Sequence, residues 1–358
     1  RGPGGPRSAP LAPARAALSD AIEIDWEGED GLKLAQLRNA FLARSESGHP
    51  GPTADYWECE RDLELYDATL GARIGWRWEW VLDEARFAGA QRARTPARTV
   101  VDLGCGSGVA ARAALEAGWI ADDASVTCVD RSALARYHAA ARLRGLGPGL
   151  TVRTAPSAPQ APELLLIGHL LLELSDAAFD DLLQTVRAAE TTVWVEPGTH
   201  TAGRRLSLAH EALRPDRRAV APCPHARRCG LLAEGRERDW CHHFPEPPAE
   251  AFTESLPGRV AQELGIDLRS LATSYLVLEP SPPERAPELG RILGRPKIEK
   301  GRARVDLCRA TGVDRVDLAK RADAALWRAW KRPGRERLLY RVEVEGHRLE
   351  RATPIDDA

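Results

Sequence analysis

Two sets of residues in this sequence have the types and spacing to do chemistry. The first is the run Val100-Val-Asp-Leu-Gly-Cys-Gly-Ser-Gly108. Val100, Val101 and Leu103 form a short apolar, β-branched stretch that stops at Gly104, as a buried strand would. Gly104, Gly106 and Gly108 allow backbone angles and a closeness of ligand approach that a Cβ would forbid. An alanine-rich helical stretch follows from Val109. Ser125–Asp130 then reads as a second strand that ends in an acid, 22 residues past Gly108. A carboxylate there can accept hydrogen bonds from both hydroxyls of a ribose. The dinucleotide fingerprint needs its third glycine one place later, where Val109 stands, so a pyrophosphate cradle fits poorly.

The second set is four of the seven cysteines, Cys223, Cys229, Cys241 and Cys308. Cys223, Cys229 and Cys241 lie in polar, Pro- and Arg-containing stretches with His225, His242 and His243 nearby. In a reducing compartment such a grouping favours metal over disulfide. The intervening lengths of five, eleven and sixty-six residues are not those of paired C-x₂-C knuckles. Four thiolates suit either an iron–sulfur cluster or structural zinc, and an imidazole in place of one thiolate keeps zinc open. Cys59 and Cys128 need no special role.

These residues need elements to position them. Thr151–Thr154, Glu163–Gly168 and Thr192–Gly198 continue the strand pattern, giving an α/β, doubly wound sheet over residues 96–280. The Cys-rich stretch 220–245 interrupts it as an insertion. Residues 1–17, made of Arg, Pro, Gly and Ala with few other types, read as a disordered tail. Residues 18–95 carry helical spacing and a set of aromatics (Tyr56, Trp57, Tyr66, Trp76, Trp78, Trp80) better suited to packing than to base stacking. Pro280–Pro283 marks a flexible join. Beyond it, 281–358 is a basic segment with strand-like runs at Arg302–Leu307 and Arg337–Val344, which would suit a small β extension, OB-like in one reading.

Composition sets the bounds. The chain has 358 residues, 43% hydrophobic and 28% charged, with a formal net charge of −2, the profile of a soluble globular protein. No apolar run approaches a membrane span. Acids outnumber bases from Ala17 to Phe87, and bases outnumber acids from Arg291 to Arg341. This asymmetry points to a polyanionic partner at the C-terminal part, RNA foremost. The chain begins with Arg1 and contains no Met, which suggests trimming. A monomer is expected.

The G-x-G-x-G turn after Asp102 looks like motif I of class I S-adenosylmethionine (SAM)-dependent methyltransferases. That resemblance implies a Rossmann-like sheet in which Asp102, Gly104, Cys105, Gly106, Gly108 and Asp130 serve the cofactor. It also puts the end of the fourth strand at the reactive methyl group. His169 therefore joins the cofactor set, and His169 and Glu173 are the candidates for catalysis.

Val195-Glu-Pro-Gly-Thr199, Ala221-Pro-Cys-Pro-His225, Cys229, Asp239-Trp-Cys-His242, Thr273–Leu278 and Gly301–Cys308 together resemble the methyltransferase-like family of small-ribosomal-subunit assembly proteins. The resemblance spans about Thr99 to Arg321. It implies that Cys223, Cys229, Cys241 and Cys308 hold a [4Fe–4S] cluster, with zinc the alternative. It further implies association with small-subunit rRNA, as a methyltransferase acting on it or as a non-catalytic assembly scaffold. His243, inserted before Phe244, and a longer Cys229–Cys241 stretch depart from the family pattern. A bacterial cytoplasm fits the composition, with the mitochondrial matrix as the alternative.

Overall fold

The chain is described, in a computed structural model, over residues 22–47, 55–159, 161–280, 286–331 and 337–355. The expected tail at 1–17, the Gly48–Pro52 break and most of the Pro280–Pro283 join lie outside these residues. Three helices come first: α1 (Glu29–Ser47), α2 (Glu60–Tyr66) and α3 (Ala72–Phe87), with a π-helical turn at Asp67–Gly71 between the last two. Next come β1 (Ala97–Leu103), α4 (Val109–Glu116), β2 (Ile120–Val129), α5 (Ala133–Leu146) and β3 (Thr151–Ala155). Then follow β4 (Leu164–Gly168), α6 (Asp176–Ala188), β5 (Thr191–Pro197), α7 (His200–Leu213) and β6 (Arg218–Ala221). After a long loop, α8 (Glu250–Thr253), α9 (Ser255–Leu264) and β7 (Thr273–Glu279) complete this part.

The seven strands form one sheet in the order β3-β2-β1-β4-β5-β7-β6. β1 to β5 pair in parallel, while β7 runs antiparallel to both β5 and β6. The sheet is mixed, not wholly parallel. Successive side chains point to opposite faces of a strand, so neighbouring residues feed two cores. Val100, Val126, Leu164, Leu166 and Val193 pack under Trp78 and Leu82 of α3, Ala114 of α4 and Leu143 of α5. Val101, Val129, Leu165, Ile167 and Trp194 pack under Leu183 and Val186 of α6 and Leu206 and Leu213 of α7. Burial on both faces explains why these strands read as unbroken apolar runs. Ser132, Ser175 and Thr199 cap α5, α6 and α7 by accepting backbone N–H bonds, which starts each helix just past a strand end.

The aromatics of the N-terminal helices divide. Trp78 is fully buried and its ring lies 3.2 Å from where a Gly168 Cβ would stand, so α3 is one of the sheet's own covering helices. Phe41, Tyr56, Trp57 and Tyr66 form edge-to-face pairs with centroids 5.2–6.0 Å apart and face a cavity.

The C-terminal strands are β8 (Leu289–Glu299), β9 (Arg302–Arg309), β10 (Gly312–Ala319), β11 (Leu339–Glu345) and β12 (Arg348–Pro354), with α10 (Ala324–Ala329) between β10 and β11. They close into a barrel in the order β10-β12-β11-β8-β9. This connectivity, with a helix before the fourth strand, is that of an OB-type Greek-key barrel. Val305, Leu307, Val316, Leu318, Tyr340 and Leu349 fill it, and Leu326, Trp327 and Trp330 of the α10 segment pack into the same core.

Sheet and barrel are joined through a buried charge network. Arg291 of β8 donates to Glu84 of α3 at 3.0 Å, with the two side chains 2% and 1% exposed. Arg337 donates to the other Glu84 oxygen at 2.9 Å, and the Tyr275 hydroxyl donates to Glu84 at 3.4 Å. Burial works against the Arg291 charge, but Tyr275 and Glu84 more than offset it and hold the guanidinium protonated. Breaking such a pair from one side strands a buried charge, which costs about 3–5 kcal/mol. Arg291→Met should therefore lower the free energy of unfolding, by less than that full cost because Arg337 and Tyr275 still donate to Glu84, and Glu84→Leu with Arg291→Met should recover part of it. A single-variant loss below about 1 kcal/mol would show that the pair does not hold the two parts together.

Candidate cofactor cavity and thiol cluster

A cavity of about 720 Å³ opens at the C-terminal ends of β1, β2, β4 and β5, where open α/β sheets bind ligands. Leu103, Gly104, Gly106, Asp130, His169, Glu173 and Glu196 line it. The three glycines of the turn all have positive φ, yet serve different ends. A Cβ on Gly106 would meet nothing within 4 Å, so this residue fronts open space. One on Gly108 would meet Ala139 at 3.0 Å, so Gly108 lets α4 approach α5. The Gly106 and Ser132 N–H groups donate to the two oxygens of Asp130 at 3.0 and 2.9 Å, fixing the carboxylate at the cavity wall. Burial raises the pKa of Asp130 against those bonds.

Asp102, Cys105 and Gly108 stand behind the wall, not on it. Asp102 is buried and accepts from Ala111 N at 3.2 Å, holding the start of α4; burial pushes its pKa up to about 7. Cys105 is buried, and the neighbouring Cys128 thiol together with burial pushes its pKa up. Both act on the cavity only by shaping the turn.

His169 follows β4 with φ +55°, and its N–H donates to Val195 O at 3.0 Å. A left-handed conformation at a non-glycine residue is strained and tends to mark functional positions. Its Nε2 is buried without a partner, and burial, with Arg77, pulls its pKa down to about 3. The imidazole is neutral. Glu173 accepts from the Tyr56 hydroxyl and lies 3.8 Å from Arg131, so it ties the aromatic wall across the cavity.

Glu196 at the end of β5 escaped the sequence reading. One oxygen accepts from Leu170 N, Leu171 N and Trp194 Nε1 at 3.1, 3.0 and 2.9 Å. The other is buried and unpaired, and burial lifts the pKa to about 7. An acid ending a fully buried strand, Val195-Glu196-Pro197, was the available signal. Because the folded chain binds this proton more tightly, the associated stability is complete below pH 4.5 and is lost as pH rises through about 7. Glu196→Gln should leave thermal stability at pH 5 nearly unchanged and raise it at pH 8 by an amount of order 2 kcal/mol. Parallel pH profiles for the two proteins would refute this.

The four cysteines named from the sequence come together at the sheet–barrel junction. Cys229, Cys241 and Cys308 pack around Leu231, Leu293 and Val313, and Cys223 borders the α6/α7 core. They come from the 222–249 loop and from β9. Burial raises each thiol's pKa, that of Cys241 to about 12. The other cysteines raise Cys223, Cys241 and Cys308 further, whereas Arg291 opposes the rise at these three. Cys308 Sγ lies 3.5 Å from His225 Nε2, and Cys241 Sγ lies 3.7 Å from His243 Nε2. Among the described residues no group of three or more His, Cys, Asp or Glu side chains stands in a metal-holding arrangement; the thiols are neighbours without converging on a point. Gly230 lies flush on the β9–β10 turn, where a Cβ would be 2.7 Å from Val313 N. The inserted His243 makes a reciprocal backbone pair with Thr273 at 2.8 and 2.9 Å, so the insertion anchors the loop to β7.

The barrel's basic character is unevenly free. Arg302 and Arg304 pair with Glu299 and Asp317, Arg309 with Asp314, and Arg315 with Asp306. Among the described residues Lys300, Lys320, Arg321, Arg328 and Lys331 are exposed with no carboxylate partner. Lys320 and Lys331 both lie over the Trp327 ring, 4.8 and 4.2 Å from its centroid. Among the described residues, no helix is long and apolar enough to cross a membrane.

No curated protein matches the chain. Similar solved structures include a magnesium protoporphyrin IX methyltransferase from Synechocystis PCC 6803 with bound SAM, 13% identical, covering 50% of this chain and 86% of that one with TM-score 0.29. A plantazolicin methyltransferase is 10% identical, covering 70% and 98%, with TM-score 0.37. A protein from Pyrococcus horikoshii described as an RNA methyltransferase candidate is 12% identical, covering 56% and 82%, with TM-score 0.34. The family model for the mitochondrial small ribosomal subunit protein Rsm22 matches residues 81–333, from within α3 through the sheet, the cysteine loop and the first three barrel strands to just past α10. On that match the chain belongs to the Rsm22 family.

Proposed function

We propose that this chain binds SAM in the β-sheet cavity and contacts small-subunit rRNA through its C-terminal barrel. The observation that carries the cofactor reading is Asp130, held by two backbone N–H groups beside Gly106, whose missing Cβ leaves space for a ligand. Bound there, SAM would supply an electrophilic methyl group. Methyl transfer depends mainly on alignment of the nucleophile. The free oxygen of Glu196, whose pKa burial lifts to about 7, is the group available to accept a proton from it, and the neutral His169 imidazole, with Nε2 unpaired, is available to orient it by a hydrogen bond. Glu173, engaged by Tyr56 and Arg131, serves the wall instead.

The family description supports the ribosomal partner and favours the mitochondrial alternative for location. Phosphate contact is assigned to Lys300, Lys320, Arg321, Arg328 and Lys331, since the β9–β10 arginines already have carboxylates. Cys223, Cys229, Cys241 and Cys308 suit a [4Fe–4S] cluster as a donor set: four neighbouring thiols, with the buried Arg291 guanidinium favouring thiolate at three of them, although Glu211 beside Cys229 works the other way. The cluster would tie the loop to the barrel. Zinc remains the second reading because His225 and His243 lie against two of the thiols.

Titration calorimetry with SAM tests the first part. The metal-replete protein should bind it, and Asp130→Asn should weaken binding at least about 10-fold, the scale of a lost charged hydrogen bond. Absence of binding by the unaltered protein would refute the cofactor reading. For the second part, Lys320→Ser with Lys331→Ser should flatten the dependence of log affinity for single-stranded rRNA on log salt by about 1.4. Arg302→Ser should leave that slope unchanged; the opposite pattern would place the RNA on the β9–β10 face.

A further inference from the structure

Arg77 projects from α3 into the cavity with no counter-charge. Its Nε is buried without a hydrogen-bond partner, and among the described residues no carboxylate pairs with it. Arg73, one turn earlier, also lines the cavity but is engaged, donating to the carbonyl oxygens of Asp267 at 3.3 Å and Ser270 at 3.0 Å. Burial, and then Arg73, pull the Arg77 pKa down to about 9, which leaves it protonated at neutral pH. A half-buried guanidinium whose Nε is shut off from water and whose rim faces a cavity without an anion is a costly arrangement unless a ligand completes it. Tyr66, whose ring also faces the cavity, feels Arg77 on one hand and Glu173 and Asp130 on the other.

We infer that Arg77 is the receptor for the carboxylate of an amino-acid-bearing ligand in this cavity. This rests on the cofactor reading above and names the group that recognises the amino-acid part of the cofactor. The chemistry selects a carboxylate over a phosphate. Asp130, Glu173 and Glu196 line the same cavity, so a dianionic group would meet repulsion. A single carboxylate on a molecule that carries positive charge elsewhere does not. Asp130 supplies the acceptor for hydroxyls and Arg77 the cation for the carboxylate, two chemically different contacts for one ligand. Arg77 was unremarked in the sequence because an arginine in an amphipathic helix reads as a solvated residue.

The test compares two probes on the full-length, metal-replete protein: S-adenosylhomocysteine, and 5′-methylthioadenosine, which keeps the adenosine and sulfur but lacks the amino-acid part. Arg77→Gln should weaken S-adenosylhomocysteine about 10–100-fold and leave methylthioadenosine within about twofold. Arg77→Lys should recover part of the loss. Without ligand, Arg77→Gln should melt at or above the temperature of the unaltered protein, because an unpaired charge has been removed; a lower melting temperature would overturn the inference. Equal weakening of both probes, or none of S-adenosylhomocysteine, would also overturn it while leaving cofactor binding intact. If the unaltered protein binds neither probe, the cofactor reading falls and this inference with it.

Discussion

The buried Glu84 carboxylate, shared by Arg291 and Arg337, is the contact on which the arrangement of the two parts depends. It lies on α3, the helix that also covers one face of the sheet with Trp78, Val81 and Leu82. Arg77 and Glu84 are seven residues apart, two turns along one helical face. The same helix thus presents a cation to the cavity at one end and an anion to the barrel at the other. Moving α3 would disturb both the packing of Trp78 against Gly168, where β4 ends, and the seat of β8. Arg291 further carries its charge to the thiols, so the junction that aligns the barrel also sets the electrostatics of the cysteine site.

Much of the parallel half of the sheet was legible because its physics is local. The glycine turn, the acid after β2, the apolar runs of β1, β4 and β5 and the short β-branched stretch of β3 each announce themselves within a few residues. Strand direction does not. Thr273–Glu279 is buried throughout, so its residues carry no alternation to show which way it runs, and its antiparallel course between β5 and β6 follows from the long loop before it. The N-terminal aromatics read as packing residues, but helical spacing does not say which helix covers the sheet; α3 does, through Trp78, Val81 and Leu82.

Side-chain roles were less legible than elements. Asp102 and Cys105 belong to the motif by position, but the turn carries them behind the cavity wall. Glu196 and Arg77 have their meaning only from burial and from the partners they lack. The basic stretch of the barrel was visible as charge, but pairing across neighbouring strands, as between Arg304 and Asp317, could not be read from a count. Among the described residues, the basic side chains left without carboxylates include Lys320 and Lys331, which lie over Trp327.

Cys241 and Cys308, with sixty-six residues between them, meet because β9 lies under the loop that begins after β6. Arg291, His225 and His243 surround them with groups suited to thiolate chemistry, and the loop already packs on the barrel through Gly230 and Leu231. A bound cluster would convert that packing into a covalent tie. The most direct measurement is the iron, acid-labile sulfide and zinc content of anaerobically purified protein beside that of Cys308→Ser. About four irons and four sulfides per chain, lost in the variant, are what this account requires. Protein that is folded and free of iron, sulfide and zinc would contradict it.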